Sequence, residues 1–207
     1  MVQTAEESFA DVTPDAARRL LLAAVEAFAE RGFHATTTRD IAGRAGMSPA
    51  ALYIHYRTKE ELLHHISRVG HERSVAILDE AASVDGGTAA RLDFAVRSFV
   101  RWHAEHHTTA SVVQYELSAL APEHYTEIVA LRHRTEEVLR GLLEEGAAAG
   151  EFTVPDVRGT AVAVFSLCID VARWFRPGGP RTPEEIGELY AGLVLRMVGA
   201  GATRTGR

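Results

Sequence analysis

Hydrophobic residues recur along the chain at spacings of three and four positions, which places them on one face of an α-helix. Short polar stretches that contain Gly, Pro, Ser or Thr separate these segments. The pattern predicts long helices over 14–31, 59–82, 88–107, 109–120, 122–149, 156–175 and 183–200, with two short helices before residue 59. No segment keeps the alternation of a half-buried strand. We therefore predict an all-α protein with about nine helices.

The two short helices are marked by residues that cap helix ends. Thr37 and Asp40 have the spacing of a capping box, in which a hydroxyl and a carboxylate each bind a free backbone N–H. Gly46 stands where the first short helix must stop, because glycine adopts the required positive φ at little cost. Ser48 is a good N-cap, and Pro49 suits the first helical position. This order predicts a helix-turn-helix, whose second helix enters the major groove of DNA.

The next helix is predicted to begin at Lys59, after a second capping box formed by Thr58 and Glu61. The caps and apolar positions together resemble the DNA-binding domain of the TetR family of regulators over about the first 65 residues. The residues that carry this resemblance are Gly32, Phe33, Thr36, Thr37, Ile41, Ala42, Ala45, Gly46, Ser48, Leu52, Tyr53, His55, Tyr56, Lys59, Glu60 and Leu62. The chain departs from the family pattern at Met47, Ala50 and Tyr56, where Val, Gly and Phe are common.

The resemblance implies roles for single residues. Positions matching Thr37, Tyr53, Tyr56 and Lys59 contact the DNA backbone in related proteins, and those matching Pro49, Ala50 and His55 lie near bases. Arg39 and Arg44 flank or belong to the first short helix, and Ser48 lies at a helix start that favours phosphate. The predicted DNA-binding set is Thr37, Arg39, Arg44, Ser48, Pro49, Ala50, Tyr53, His55, Tyr56 and Lys59.

The net charge of the whole chain does not suggest DNA binding, but the distribution of charge along the chain does. The formal net charge is −6. The basic residues from 31 to 59 are Arg31, Arg39, Arg44, Arg57 and Lys59, and Asp40 is the one acidic residue among them. The predicted recognition helix has no Arg, Asn or Gln, so bidentate base contacts are scarce. We expect contacts with thymine methyl groups, Arg44 and DNA shape to determine specificity.

Length and composition narrow the class of protein further. The 207 residues can form a substantial core, and the hydrophobic content of 46% is ordinary for a globular protein. No apolar run approaches a membrane span, and the N-terminal residues do not resemble a signal peptide. Cys168 is the single cysteine, which suits a reducing compartment. We expect a cytoplasmic protein without membrane association.

Three parts are predicted along the chain. They are a mobile N-terminal arm over 1–13, a helix-turn-helix DNA-binding domain over 14–60, and a ligand-binding and dimerisation domain over 61–207. The last two helices carry wide apolar stripes, which are compatible either with a larger core or with a second subunit. The resemblance implies a homodimer formed through a four-helix bundle. The predicted interface residues are Val164, Cys168, Val171, Leu189, Leu193 and Met197.

The middle helices carry a mostly apolar set with a few polar groups, which suits a small-molecule pocket and equally suits a packed core. The predicted pocket residues are Phe99, Trp102, His103, His106, Gln114, Tyr115, Leu131, Phe165, Ile169 and Arg173. The segment 170–179 resembles TetR-type regulators of lipid or steroid breakdown, several of which respond to acyl-coenzyme A thioesters. Arg132, Arg134, Arg140 and Arg173 would then face a phosphate-bearing ligand.

Three histidines, His103, His106 and His107, share one helix face at a spacing that metal sites use. No cysteine pair or carboxylate–histidine signature accompanies them, so a solvated or pocket-lining face is favoured over a metal site. No catalytic motif is present, and we predict no catalytic residue, no cofactor and no enzyme activity. Two alternatives stay open: a ligand-binding or metal-sensing dimer without DNA recognition, and an enzyme that uses His103 or His106 as a base.

The sequence therefore predicts a homodimeric, sequence-specific DNA-binding regulator. We expect it to be a repressor that binds a palindromic operator in double-stranded DNA. A small hydrophobic or acyl-coenzyme A-like effector would release it from that operator.

Overall fold

The computed structural model describes residues 8–201. Its helices, in chain order, are α1 (Asp15–Ala35), α2 (Thr38–Arg44), α3 (Pro49–His55), α4 (Lys59–Ala81), α5 (Thr88–Glu105), α6 (His107–Tyr115), α7 (Pro122–Ala148), α8 (Val157–Ile169), α9 (Val171–Trp174) and α10 (Pro183–Met197). A 3-10 turn, Leu117–Ala119, lies between α6 and α7. Residues 8–201 contain no β-strand, and the all-α prediction is confirmed. Because only Asp170 separates α8 from α9, the two correspond to one predicted helix.

The capping residues predicted for the two short helices are confirmed. The Thr37 hydroxyl oxygen accepts a bond from the Asp40 amide at 3.2 Å, and the Asp40 carboxylate accepts one from the Thr37 amide at 2.9 Å. At the start of α3 the Ser48 hydroxyl oxygen accepts a bond from the Ala51 amide at 3.2 Å, and Pro49 occupies the first helical position. Local sequence therefore determines where both helices begin.

The start of α4 differs from its predicted capping box in one bond. The Thr58 hydroxyl oxygen accepts from the Glu61 amide at 3.1 Å, as expected. The Glu61 carboxylate accepts instead from the Arg57 amide, at 2.8 Å. The second half of the predicted box is wrong, because the carboxylate binds the peptide one residue before the cap.

Contacts divide the chain into two compact units. The first unit combines the residues described up to Arg73 with Glu105–Leu131. Within this unit α6 packs against α1. The core of the unit includes Leu20, Phe28, Ile41, Leu52, Leu62, Val112, Val113 and Ile128. The first unit is therefore larger than the three-helix domain expected over 14–60, since apolar faces far apart in the chain complete its core.

The mobile arm expected over 1–13 lies partly outside the described residues. Phe9, which is described, is 1% exposed and belongs to the core of the first unit. The expectation of a mobile arm does not hold at this position, because a ring this deeply buried is held by packing.

The second unit combines Ser74–Ala104 with the described residues from Arg132 onward. Its core includes Leu92, Phe99, Leu143, Val164, Phe165, Ile186 and Val194. One close approach in it depends on the absence of a side chain. A Cβ atom at Gly146 would lie 2.1 Å from the Phe152 ring, whereas one at Gly141, on the same helix, would meet nothing within 4 Å. No helix within residues 8–201 is long and apolar enough to cross a membrane.

This difference between two glycines of α7 gives a stability test. We expect Gly146→Ala to lower the free energy of unfolding by about 1–3 kcal/mol, because the methyl group overlaps the Phe152 ring. The matched control Gly141→Ala is expected to be neutral or stabilising by up to about 1 kcal/mol. Urea unfolding followed by tryptophan fluorescence measures both, since Trp102 and Trp174 lie in the second unit. Equal midpoints for the two variants would contradict the packing described here.

Candidate nucleic-acid interface

Two buried side chains orient α3, the helix predicted to read DNA. Leu52 is fully buried, and Tyr56, at the end of the helix, is 7% exposed. Because these residues hold one face of α3 in the core of the first unit, the opposite face is turned to solvent. Pro49, Ala50 and Tyr53, all predicted from the sequence, lie on that exposed side.

The exposed face of α3 also carries Ile54, which the sequence-based prediction omitted. Its side chain is 79% exposed, although isoleucine is among the residues most often buried. Ala50, Tyr53 and Ile54 follow the helical spacing of three and four, so this pattern was a signal that could have identified Ile54. An aromatic and a branched aliphatic side chain thus project side by side from the helix.

Tyr53 is linked to the preceding helix. Its hydroxyl lies 3.0 Å from the Thr38 hydroxyl, and both groups are exposed. The Thr37 hydroxyl donates to the Asp40 carboxylate at 2.7 Å, and these bonds lower the pKa of Asp40 below its usual value. The hydroxyl of Thr37, a predicted contact residue, therefore forms part of the N-terminal cap of α2. Ser48 similarly caps α3, and its side chain lies at the exposed start of that helix.

Several basic residues of this region are paired within the protein. Arg31 lies 3.6 Å from the Asp40 carboxylate. Arg44 lies 3.0 Å from the Glu26 carboxylate and also binds Glu30, which raises the pKa of Arg44 above its usual value. Arg44, predicted to contact DNA, is thus directed to two carboxylates of α1.

Lys59, also predicted to contact DNA, has partners within the protein as well. Its ammonium donates to the carbonyl oxygens of Phe33 at 2.7 Å, Thr36 at 2.8 Å and His34 at 3.3 Å. It also lies 4.3 Å from the centre of the Phe33 ring. An ammonium has three N–H donors, and here all three are used on backbone oxygens after α1 is broken at Gly32. The geometry makes Lys59 a tie between the end of α1 and the start of α4.

Tyr56 is a third predicted contact residue with a partner within the protein, and its side chain is buried. Its hydroxyl lies 3.0 Å from Nδ1 of His65, and burial raises the pKa of Tyr56 to about 12. Burial also lowers the pKa of His65. The Tyr56 hydroxyl and the His65 imidazole are therefore hydrogen-bonded to each other with both groups uncharged. A buried donor satisfied in this way belongs to the core.

Arg39 and Arg57 differ from these paired cations. Both are exposed, and within residues 8–201 neither side chain forms an ion pair. His55 is half-buried and lies at an open groove of about 420 Å³. The residues that line this groove are His55, Tyr56, Glu61, His64, His65, Arg68 and Glu127.

The residues predicted for a ligand pocket do not all fall in one unit. His106, Gln114, Tyr115 and Leu131 belong to the first unit, and Phe99, Trp102, His103, Phe165, Ile169 and Arg173 belong to the second. The second unit contains an apolar cavity of only about 10 Å³, enough for about one water molecule. Its walls are Leu78, Ala95, Val96, Phe99, Leu139, Val164, Phe165 and Cys168.

Polar residues of the predicted pocket have partners in the protein. His103 is buried, and its Nδ1–H donates to the Phe99 carbonyl at 2.8 Å. Arg173 pairs with Asp170 at 2.7 Å. The other predicted phosphate-facing arginines include Arg134, 3.2 Å from Asp79, and Arg140, 3.2 Å from Glu144. In the part of the chain that is described, no group of three or more His, Cys, Asp or Glu side chains is placed to hold a metal ion.

The predicted dimer residues fall into two groups. Val164, Cys168 and Val171 are at most 3% exposed within the single chain, so their side chains are already covered by their own core. Burial raises the pKa of the Cys168 thiol to about 12, which keeps it protonated. Leu189, Leu193 and Met197 are 37–48% exposed on successive turns of α10. Val162 and Trp174, which the prediction omitted, are also exposed, at 53% and 42%.

Comparison with known proteins identifies the class of regulator. A family model described as bacterial regulatory proteins, tetR family, matches residues 20–66, and one described as tetracyclin repressor-like, C-terminal domain, matches residues 85–198. The chain belongs to the TetR family of DNA-binding transcriptional regulators, as its capping and core residues indicated.

Particular members are similar over most of the chain. The HTH-type transcriptional repressor KstR2 of Mycolicibacterium smegmatis is 34% identical over 187 residues, which cover 85% of this chain and 87% of that protein. A solved bacterial regulatory protein in the tetR family from Rhodococcus RHA1 is 44% identical with a TM-score of 0.86, over 91% of this chain and 100% of that chain. The ketosteroid transcriptional regulator KstR2 of Mycobacterium tuberculosis is 28% identical with a TM-score of 0.83, over 90% and 96%.

The different surroundings of two arginines give a direct test of the interface. We expect Arg57→Gln to weaken DNA binding about equally for all sequences and to reduce the slope of log affinity against log salt by about 1, the effect of one lost phosphate contact. Arg44→Gln is the matched control, because its guanidinium is paired with Glu26 and Glu30. Binding is measured by fluorescence anisotropy between 50 and 300 mM salt. A larger loss of slope in Arg44→Gln than in Arg57→Gln would show that the interface is misplaced.

Proposed function

We propose that this protein is a repressor that binds a palindromic operator as a homodimer and leaves it when a small hydrophobic or acyl-coenzyme A-like effector binds. The observation that carries the proposal is the exposed apolar face of α3, with Tyr53 and Ile54 at 52% and 79% exposure. Such residues are costly to expose and gain contact area when a groove of DNA covers them. The relatives named as repressors support the proposed direction of regulation.

The proposed reading of DNA uses few charges. Pro49, Ala50 and Ile54 would face base edges, where apolar side chains recognise the methyl group of thymine, and Tyr53 would contact the DNA backbone. Arg39 and Arg57 would bind phosphates on either side, and backbone N–H groups at the helix starts would add further phosphate contacts. Because each DNA-binding domain then makes few phosphate contacts, tight binding needs the two DNA-binding domains of a dimer on one DNA molecule.

Selection of bound sequences from random DNA at a stated salt concentration tests DNA recognition. We expect a palindrome with half-sites about one helical turn apart. Ile54→Ala should select a site with weaker preference for thymine at one position per half-site, at a cost of roughly tenfold or more in affinity for the original site. Tyr125→Ala is the control, since Tyr125 is 46% exposed in the first unit but outside α3. Enrichment of no sequence by protein that mass spectrometry shows to be free of small molecules would contradict the proposal.

The proposed dimer surface is the exposed stripe of α10 together with the exposed residues of α8 and α9. Leu189, Leu193 and Met197 follow the spacing of one helix face, and Val162 and Trp174 extend the apolar exposure. Such a surface is typical of a subunit interface, because its burial releases water from apolar area. Val164, Cys168 and Val171 would support this surface from inside the protomer.

A charge placed in the stripe should separate the subunits. We expect Leu193→Glu to sediment as a monomer at micromolar concentration, since dimerisation would bury an unpaired carboxylate. Its operator affinity should fall by at least about a hundredfold, because the second DNA-binding domain of the dimer is lost. Tyr125→Glu adds the same charge at an exposed aromatic outside the stripe and should remain dimeric. A dimeric Leu193→Glu would place the interface elsewhere.

The proposed effector site lies in the apolar core of the second unit. A cavity of about 10 Å³ admits no effector without rearrangement, so binding must displace side chains such as Phe99 and Phe165. A structural change of this kind is what couples an effector to DNA, and linkage requires that DNA weaken effector binding by the same factor. The similar KstR2 is described as a ketosteroid regulator, which agrees with an apolar ligand here. A protein that binds an operator would act in the cytoplasm, as a regulator rather than as an enzyme.

A further inference from the structure

The segment between α6 and α7 binds both ends of the helix-turn-helix. At the first end, the Glu116 carboxylate accepts a bond from the Phe33 amide at 3.1 Å, beside the break of α1 at Gly32. At the second end, the Glu60 carboxylate accepts a bond from the Ala121 amide at 2.9 Å. All these residues belong to the first unit. Two carboxylates therefore hold one short segment against the start and the end of the DNA-reading motif.

The second of these contacts contains a titratable partner. Nδ1 of His124, in the first turn of α7, lies 2.8 Å from Oε1 and 3.1 Å from Oε2 of Glu60. The His124 ring stacks on the His64 ring, with centroids 3.7 Å apart and planes 3° apart. Nε2 of His64 lies 2.8 Å from the Glu127 carboxylate. The four residues form a stack of two imidazoles, each in contact with one carboxylate.

Carboxylates outnumber the imidazoles around His124. Glu60 and His64 face it from α4, and Glu123 and Glu127 lie near it on α7. The hydrogen bond with Glu60 is the largest cause that raises the pKa of His124 above its usual value. Only about a quarter of each side chain of the Glu60–His124 pair is exposed, at 20% and 27%. Solvent therefore screens this pair less than a fully exposed one.

Glu60 of this pair lies close to α3 along the chain. Glu60 follows Lys59, whose ammonium binds the end of α1, and three residues separate α4 from His55 at the end of α3. A carboxylate that fixes the first turn of α4 therefore also restricts the orientation of α3, because the link between the two helices is short. Loss of charge on His124 removes the ionic part of this restraint, while the bond from Ala121 remains.

We propose that Glu60 and His124 form a protonation-dependent latch that positions α3, so that operator affinity decreases as the pH rises and His124 loses its proton. The inference rests on the proposed operator binding. Because the pKa of His124 is raised when the latch is closed, the ionic contribution is complete below the usual histidine value near 6.5 and disappears as the pH rises through the raised value. Glu60 is a positioning residue in this account, because it acts on DNA through α3.

The test measures operator affinity from pH 5.5 to 8.5 at constant ionic strength with the full chain. We expect the operator affinity of the wild type to fall roughly two- to fivefold per DNA-binding domain over this range, which matches the small contribution of a partly exposed ion pair. Glu60→Gln keeps an acceptor for the Ala121 amide but removes the charge, and should flatten this part of the profile. Glu144→Gln is the matched control, since it removes an exposed carboxylate that pairs with Arg140 four residues earlier on α7. His55→Gln is a second control, which measures how much of the pH dependence comes from a histidine closer to the proposed DNA surface.

A second measurement keeps the latch separate from DNA binding. Histidine NMR of the protein without DNA should show His124 titrating at lower pH in Glu60→Gln than in the wild type, with unchanged dimerisation and helix content. An unchanged His124 titration overturns the latch whatever happens with DNA. Equal pH profiles for the wild type and Glu60→Gln on a selected operator also overturn it. If the wild type binds no operator while Glu60 still shifts His124, the proposed function fails and the pair itself stands.

Discussion

The tie formed by Lys59 is the interaction on which the DNA-reading part of this protein depends. One ammonium binds three carbonyl oxygens at the end of α1 and contacts the Phe33 ring. These oxygens lie after the break of α1 at Gly32, where φ is +75°, and the last carbonyl groups of a helix lack the usual amide partner four residues further on; the Phe33 oxygen also accepts a 3.3 Å bond from the Thr36 amide. The lysine that supplies the missing donors begins α4, so the first and last helices around the motif are joined at a single point. The orientation of α3 follows from this closure and from the burial of Leu52.

The pairing of cations within the protein, as at Lys59, explains why the candidate interface is only weakly charged. A cation that satisfies buried or half-buried backbone oxygens has no remaining donor for phosphate, and Arg44 is held by two carboxylates of α1. Arg39 and Arg57 keep their charge exposed. In the proposed interface, few cations and an exposed apolar face on α3 would make recognition depend on contact area and DNA shape, with weak non-specific binding. An acidic chain with a net charge of −6 has the same consequence.

The segment from Glu105 to Leu131 joins the region matched by the C-terminal family model to the helices around the reading motif. It lies within the region that matches the C-terminal family model, yet it packs into the core of the first unit with α1 and α4. Its Glu116 carboxylate accepts a bond from Phe33 in α1, and its Ala121 amide donates to Glu60 in α4. A change in this segment, such as the proposed deprotonation of His124, would therefore act on both helices that flank the motif.

Local sequence by itself determined the helices, the caps at Thr37 and Ser48, the turn at Gly46 and the family, because each depends on residues a few positions apart. The amphipathic pattern also indicated which face of α3 is buried, and helical spacing would have added Ile54. Tertiary structure alone decided what the charged and aromatic side chains contact. The partners of Lys59, Arg44 and Tyr56 lie on other helices, and nothing in the spacing of a sequence specifies a contact over such a distance. Likewise, only packing showed that Val164, Cys168 and Val171 are covered by their own core while Leu189, Leu193 and Met197 remain exposed.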